Sequence, residues 1–153
     1  MRHGQWKWEV EMLGESTVYI DVGVRPAALT DESVGFGDAE GKGQGWGLDV
    51  SAGYKHSHTL ASGSVKSSSL RLGQSATTWG LWKKTASTTR LGSNDYRVTI
   101  GLHLDLDRGT LDFYANGLGG SHITGFDNVI GPVRPAVAAL KQQRLIRARF
   151  TFV

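Results

Sequence analysis

Residues 101–117, GLHLDLDRGTLDFYANG, alternate apolar and polar side chains on both sides of a tight turn, and this pattern commits the region to a sheet. Ile100, Leu102, Leu104 and Leu106 share one face at period two, with His103 and Asp105 on the other. Asp107-Arg108-Gly109 supplies the turn, where Gly109 can take a positive φ without steric cost. Leu111, Phe113 and Ala115 resume the buried face, and Asn116-Gly117 marks a second turn.

The same alternation recurs along the chain. Trp6, Trp8, Val10 and Met12 face one way, with Lys7, Glu9 and Glu11 between them. Val18, Ile20, Val22 and Val24 form the next buried row, and residues 25–45 read as a long loop rich in Gly and Asp. A strand begins at Trp46, with residues 53–57 as its hairpin partner. Residues 60–94 carry a weaker signal, in which Ser, Thr and Gly surround isolated apolar residues; edge strands and one long excursion are expected there. Gly125 and Phe126 lead into a loop ending at Pro132, and residues 133–140 form a mostly apolar strand. Residues 145–153 close the domain with Ile146, Ala148, Phe150 and Phe152 inward and Arg147 and Arg149 outward. No segment sustains a helical period. The expected fold is all-β: one domain over residues 1–153, a bent sandwich of two antiparallel sheets with about a dozen short strands.

Composition narrows the function classes. The chain has 153 residues, enough to bury a core without staples, and no cysteine, which excludes disulfides, thiolate metal sites and a cysteine nucleophile. No secretory apolar region and no apolar run of membrane-spanning length is present, so an intracellular setting, cytoplasmic or nuclear, is expected without membrane contact. The net charge of +3 hides an asymmetry: residues 1–49 carry −5, residues 50–100 carry +6 and residues 101–153 carry +2. The basic middle third would suit an acidic partner, although its charges are scattered among Ser and Thr as on a solvated surface.

Candidate chemistry is sparse. His56 and His58 share a strand face that zinc could use, but no third ligand is evident, so neither a metal nor any other cofactor is expected. Asp105 and Asp107 mimic a carboxylate pair, yet Asp107 is explained by its turn. Glycines 41, 43, 45 and 47 alternate instead of forming a phosphate cradle. Trp79 and Trp82 beside Lys83 and Lys84 form a possible secondary surface, or they pack an insertion onto the sandwich. Trp6, Trp8 and Trp46 keep strand phase and read as core.

In their order, these elements resemble a SPRY (B30.2) domain. The family's opening strand is similar to residues 4–11 (GQWKWEVE), its second to Val22-Gly23-Val24 and its central motif to Trp46-Gly47-Leu48-Asp49. Its Asp-x-Asp-x-Gly-x-Leu-x-Phe hairpin is similar to residues 105–113, and Arg134-Pro135-Ala136-Val137 resembles the last core strand before residues 146–152. No PRY-type segment is expected before the first strand, and residues 58–96 are longer than usual for the family.

The resemblance implies a non-enzymatic module that binds a peptide or loop of a partner protein through loops at one edge of the sandwich, serving as an adaptor, scaffold or substrate receptor in a larger assembly. Such domains occur in ubiquitin ligases, TRIM proteins, calcium-release channels and RNA-helicase complexes. By the same resemblance, partner contacts fall on Arg25, Pro26, Ala27 and Ala28 after the second strand, on Tyr54 or His56 in the hairpin after Trp46, and on Lys141 and Gln142. The peptide-binding members carry Trp-Gly where this chain has Lys141-Gln142, which implies a different specificity. Each position has a plainer reading: a strand ended by proline, a sheet-covering aromatic, an ordinary turn. Two other functions are kept open. Lectin-like sandwiches share this architecture, but hydrolysis of a glycoside needs paired carboxylates across a groove, and no such motif is apparent. Nucleic-acid binding through residues 55–97 would use Trp79 and Trp82 as stacking platforms.

Overall fold

The computed structural model describes residues 1–15, 20–28, 45–50, 54–61, 64–71, 83–84, 95–139 and 145–153. Every regular element among them is a strand: β1 (Gln5–Glu15), β2 (Ile20–Pro26), β3 (Gly45–Asp49), β4 (Tyr54–Ala61), β5 (Ser64–Arg71), β6 (Lys83–Lys84), β7 (Asp95–Asp105), β8 (Thr110–Ala115), β9 (His122–Phe126), β10 (Val133–Ala139) and β11 (Leu145–Phe152). They form two antiparallel sheets. One runs β11-β1-β7-β8-β9, with β6 attached to β7; the other runs β10-β2-β3-β4-β5. Within β4, β5 and β6 the backbone pairing is described throughout, and the side chains of Lys55 and Ser57 alone.

The core lies between the sheets, where alternation put it. Trp8, Val10 and Met12 of β1 and Val98, Ile100, Leu102 and Leu104 of β7 are buried against Leu111 and Phe113 of β8. From the other sheet come Val22 and Val24 of β2, Trp46 and Leu48 of β3 and Val133 of β10. Two groups cross the seam between the sheets. The Trp46 indole N–H donates to Asn128 Oδ1 at 3.2 Å, and the Lys55 ammonium donates to the Gly125 carbonyl at 2.8 Å while lying 5.2 Å from the centre of the Phe126 ring.

Two expectations need correction. Trp6 keeps core phase but is 39% exposed, because it sits where β1 runs past the end of the sandwich; its indole N–H satisfies the His3 carbonyl. Phe150 and Phe152 also have the inward phase, yet they are 38% and 53% exposed because β11 is an edge strand. Gly125 and Phe126 end a strand, β9, whose His122 and Thr124 pair with β8, and lead as expected into the loop that ends at Pro132.

The β7–β8 turn is held by a carboxylate. Asp105 is buried, and its Oδ1 accepts the amide N–H groups of Asp107 and Arg108 at 3.0 Å each, while its Oδ2 accepts the Gln5 amide at 3.2 Å. This accounts for Asp105 without catalysis. On the outer face of the same sheet, Glu9 Oε1 accepts the Leu118 N–H at 2.9 Å and so pins the loop after Asn116, whose φ is 62°, onto the strands. Glu9→Ala leaves that amide without its acceptor and is expected to cost about 1–2 kcal/mol in urea unfolding. A cost within experimental error would show that the loop holds itself.

Candidate binding surface

Strand alternation builds a second face on the β10-β2-β3 sheet. Because Val22 and Val24 enter the core, Asp21, Gly23 and Arg25 turn outward. The register then sets three rows across the strands. Arg134 lies opposite Arg25; Ala136, Gly23 and Gly47 form the middle row; Ala138, Asp21 and Asp49 form the third. The outer face therefore has two guanidinium groups at one end, a row of small residues in the middle, and two carboxylates at the other. Four residues of extended chain separate the Arg25 row from the Asp21 row, about 13 Å.

The carboxylate pair has unusual electrostatics. Burial pushes the Asp21 carboxyl up to about 7, and the neighbouring Asp49 charge adds to the rise. Asp21 therefore exchanges its proton near neutral pH. Sequence reasoning missed this pair. Both residues occupy the polar phase of their strands, a visible signal, but their pairing depends on the β2–β3 register, and no local motif encodes it.

The residues expected to contact a partner separate into groups. Arg25 belongs to β2 and is only 4% exposed, so it supports the face and does not project from a loop, contrary to the expectation. It faces away from the core and carries the strand's last outward side chain. Pro26 ends the strand, and Ala27 and Ala28 form an exposed turn tied to β10 by the Ala27 N–H donating to the Pro132 carbonyl at 3.0 Å. Tyr54 opens β4 opposite Asp49, and His56 stands opposite Gly47. Tyr54 thus falls in the row of Asp21, two strands and four residues from Arg25, about 16 Å between backbones. His56 falls in the middle row. Lys141 and Gln142 lie outside the described residues, as do Trp79 and Trp82. Lys83 and Lys84 form β6, opposite Arg97 and Tyr96 of β7. Among the described residues no cluster of three His, Cys, Asp or Glu could hold a metal, and no helix is long and apolar enough to cross a membrane.

Comparison with known proteins places this architecture. The family model for the SPRY domain matches residues 5–150. A structure of the TRIM65 PSpry domain superposes with a TM-score of 0.50 at 18% identity, covering all of this chain and 64% of that one. A stonustoxin structure superposes with a TM-score of 0.50 at 17% identity, covering 99% of this chain and 19% of that one. This chain therefore spans less than two thirds of either solved protein, and at these identities the likeness concerns the fold. No curated protein gives a significant sequence match.

Proposed function

Because this chain belongs to the SPRY domain family, we propose that it is a non-catalytic recognition module that captures an extended segment of a partner protein across the outer end of the five-stranded sheet. The observation that carries the reading is the exposed Ala27-Ala28 turn, fastened by the Ala27 N–H to the Pro132 carbonyl just before β10. A turn held in this way meets a partner with little ordering cost. Gly23, Gly47, Ala136 and Arg25 are buried, so in this reading the contact is carried by the exposed turn and not by that row.

In this reading Ala27, Ala28 and Pro26 form one end of the contact and Tyr54 and His56 the other, with Lys141 and Gln142 adding to it. The span of about 16 Å corresponds to roughly five residues of extended peptide. Affinity would come from a few buried anchors, and a role as adaptor or substrate receptor follows from whichever assembly holds the module.

Affinity capture from cell lysate tests this. Wild type is compared with an Ala28→Glu, Tyr54→Ala double variant whose thermal melt is matched to wild type. The expected result is a set of proteins held by wild type and lost from the variant. Identical partner lists would place recognition elsewhere on the chain.

A further inference from the structure

The open edge of the six-stranded sheet presents a second and separate surface. The Val153 N–H donates to the Lys7 carbonyl at 3.0 Å, and Trp8 stands opposite Phe152. In an antiparallel ladder this makes Glu9–Thr151 and Glu11–Arg149 pairs that exchange backbone hydrogen bonds. The N–H and C=O groups of Ala148, Phe150 and Phe152 consequently point away from β1, and among the described residues no strand pairs with them. Phe150 and Phe152 are exposed on one face of this edge, and Trp6 is exposed on the same face of β1. The other face carries Arg149, whose side chain is 62% exposed and whose guanidinium donates to Glu11 Oε1 at 3.2 Å.

The edge therefore alternates: aromatic side chains stand where backbone groups are open, and a cation stands between them. We propose that β11 accepts an extended acidic–apolar segment of a partner protein as an added antiparallel strand. Apolar residues of that segment would form the hydrogen-bonded pairs with Phe150 and Phe152, and a carboxylate between them would stand opposite Arg149. A second copy of this chain suits the edge poorly. Pairing β11 with itself about Arg149, a register that opposes Ala148 and Phe150 through their open backbone groups, sets Arg149 of one copy against Arg149 of the other, on a chain that already carries +3. Edge cations of this kind discourage self-pairing while leaving the backbone open to an acidic strand.

The probe is a fluorescein-labelled peptide, Val-Glu-Val-Glu-Val-Glu-Val, titrated with the intact chain and followed by fluorescence anisotropy at low ionic strength. Saturable binding is expected, with none to the peptide bearing lysine in place of glutamate. Arg149→Glu should weaken binding roughly tenfold or more. Arg149→Gln, which sets no like charge against Glu11, should weaken it in the same direction with an unchanged melt. In the complex, amide exchange at Phe150 and Phe152 should slow, because those N–H groups face the added strand. Equal affinity for the Arg149 variants, or unchanged exchange at both phenylalanines, overturns the proposal. Self-association that protects the same two amides without peptide overturns it as well, in favour of a second copy.

Discussion

Asp21→Asn will raise the stability of the fold at pH 8 and remove most of its pH dependence between pH 4 and 8. In the folded chain the Asp21 carboxyl titrates at about 7, raised by burial and then by Asp49; in the unfolded chain it titrates near 3.9. Between those values the native state holds a proton that the unfolded state has released. Stability is therefore greatest below about pH 4 with respect to this group, falls as pH rises through the window, and reaches its lower plateau above pH 7. A shift of about three pH units corresponds to at most about 4 kcal/mol. Asparagine is neutral throughout and keeps the volume, so the variant should gain a large part of that amount at pH 8 and little at pH 4. Urea unfolding of both proteins across this range measures it. Parallel stability curves for wild type and variant would show that Asp21 ionises as it does in water.

Gly23→Ala should be severely damaging, because the added methyl meets backbone and not a side chain that can move. A Cβ at this position would lie 1.9 Å from the Trp46 carbonyl oxygen and 2.9 Å from the Gly47 Cα. Both are backbone atoms of β3, and β3 is fixed by the buried Trp46 side chain and its bond to Asn128. Relief requires β2 and β3 to separate, which disturbs Val22, Val24 and Leu48 together. The expected cost is about 3 kcal/mol or more, a fall in melting temperature of roughly 6–12 °C for a domain of this size. Gly119→Ala is the matched control, since no atom lies within 4 Å of its Cβ position; it should change stability by no more than about 0.5 kcal/mol. Similar melts for the two variants would mean that the β2–β3 spacing adjusts freely.

What could be read locally was the phase of each strand. Val10, Leu102 and Phe113 are buried because their neighbours alternate with them, and the Asp107-Arg108-Gly109 turn follows from three adjacent residues. The resemblance to the SPRY family likewise rested on ordered short motifs, and the family match over residues 5–150 agrees with it. Where local phase misled, the cause was position in a sheet. Trp6, Phe150 and Phe152 have the same phase as buried residues, but one lies at a strand end and two on an edge strand, so they meet solvent on one side. Arg25 erred in the opposite direction: the family resemblance put it in a contact loop, whereas it lies buried in β2, which Pro26 ends.

The sequence by itself determined that the chain forms alternating strands, where its turns fall and which side chains seek the core, since these depend on residues within a few positions of one another. Only the tertiary structure decided that Asp21 meets Asp49, that Gly23 sits against the Trp46 carbonyl, that Arg25 is enclosed and that β11 stands at an edge. Each of these is set by which strands pair and in what register. That choice is made by the summed burial of both sheets, a quantity that no short stretch of chain contains.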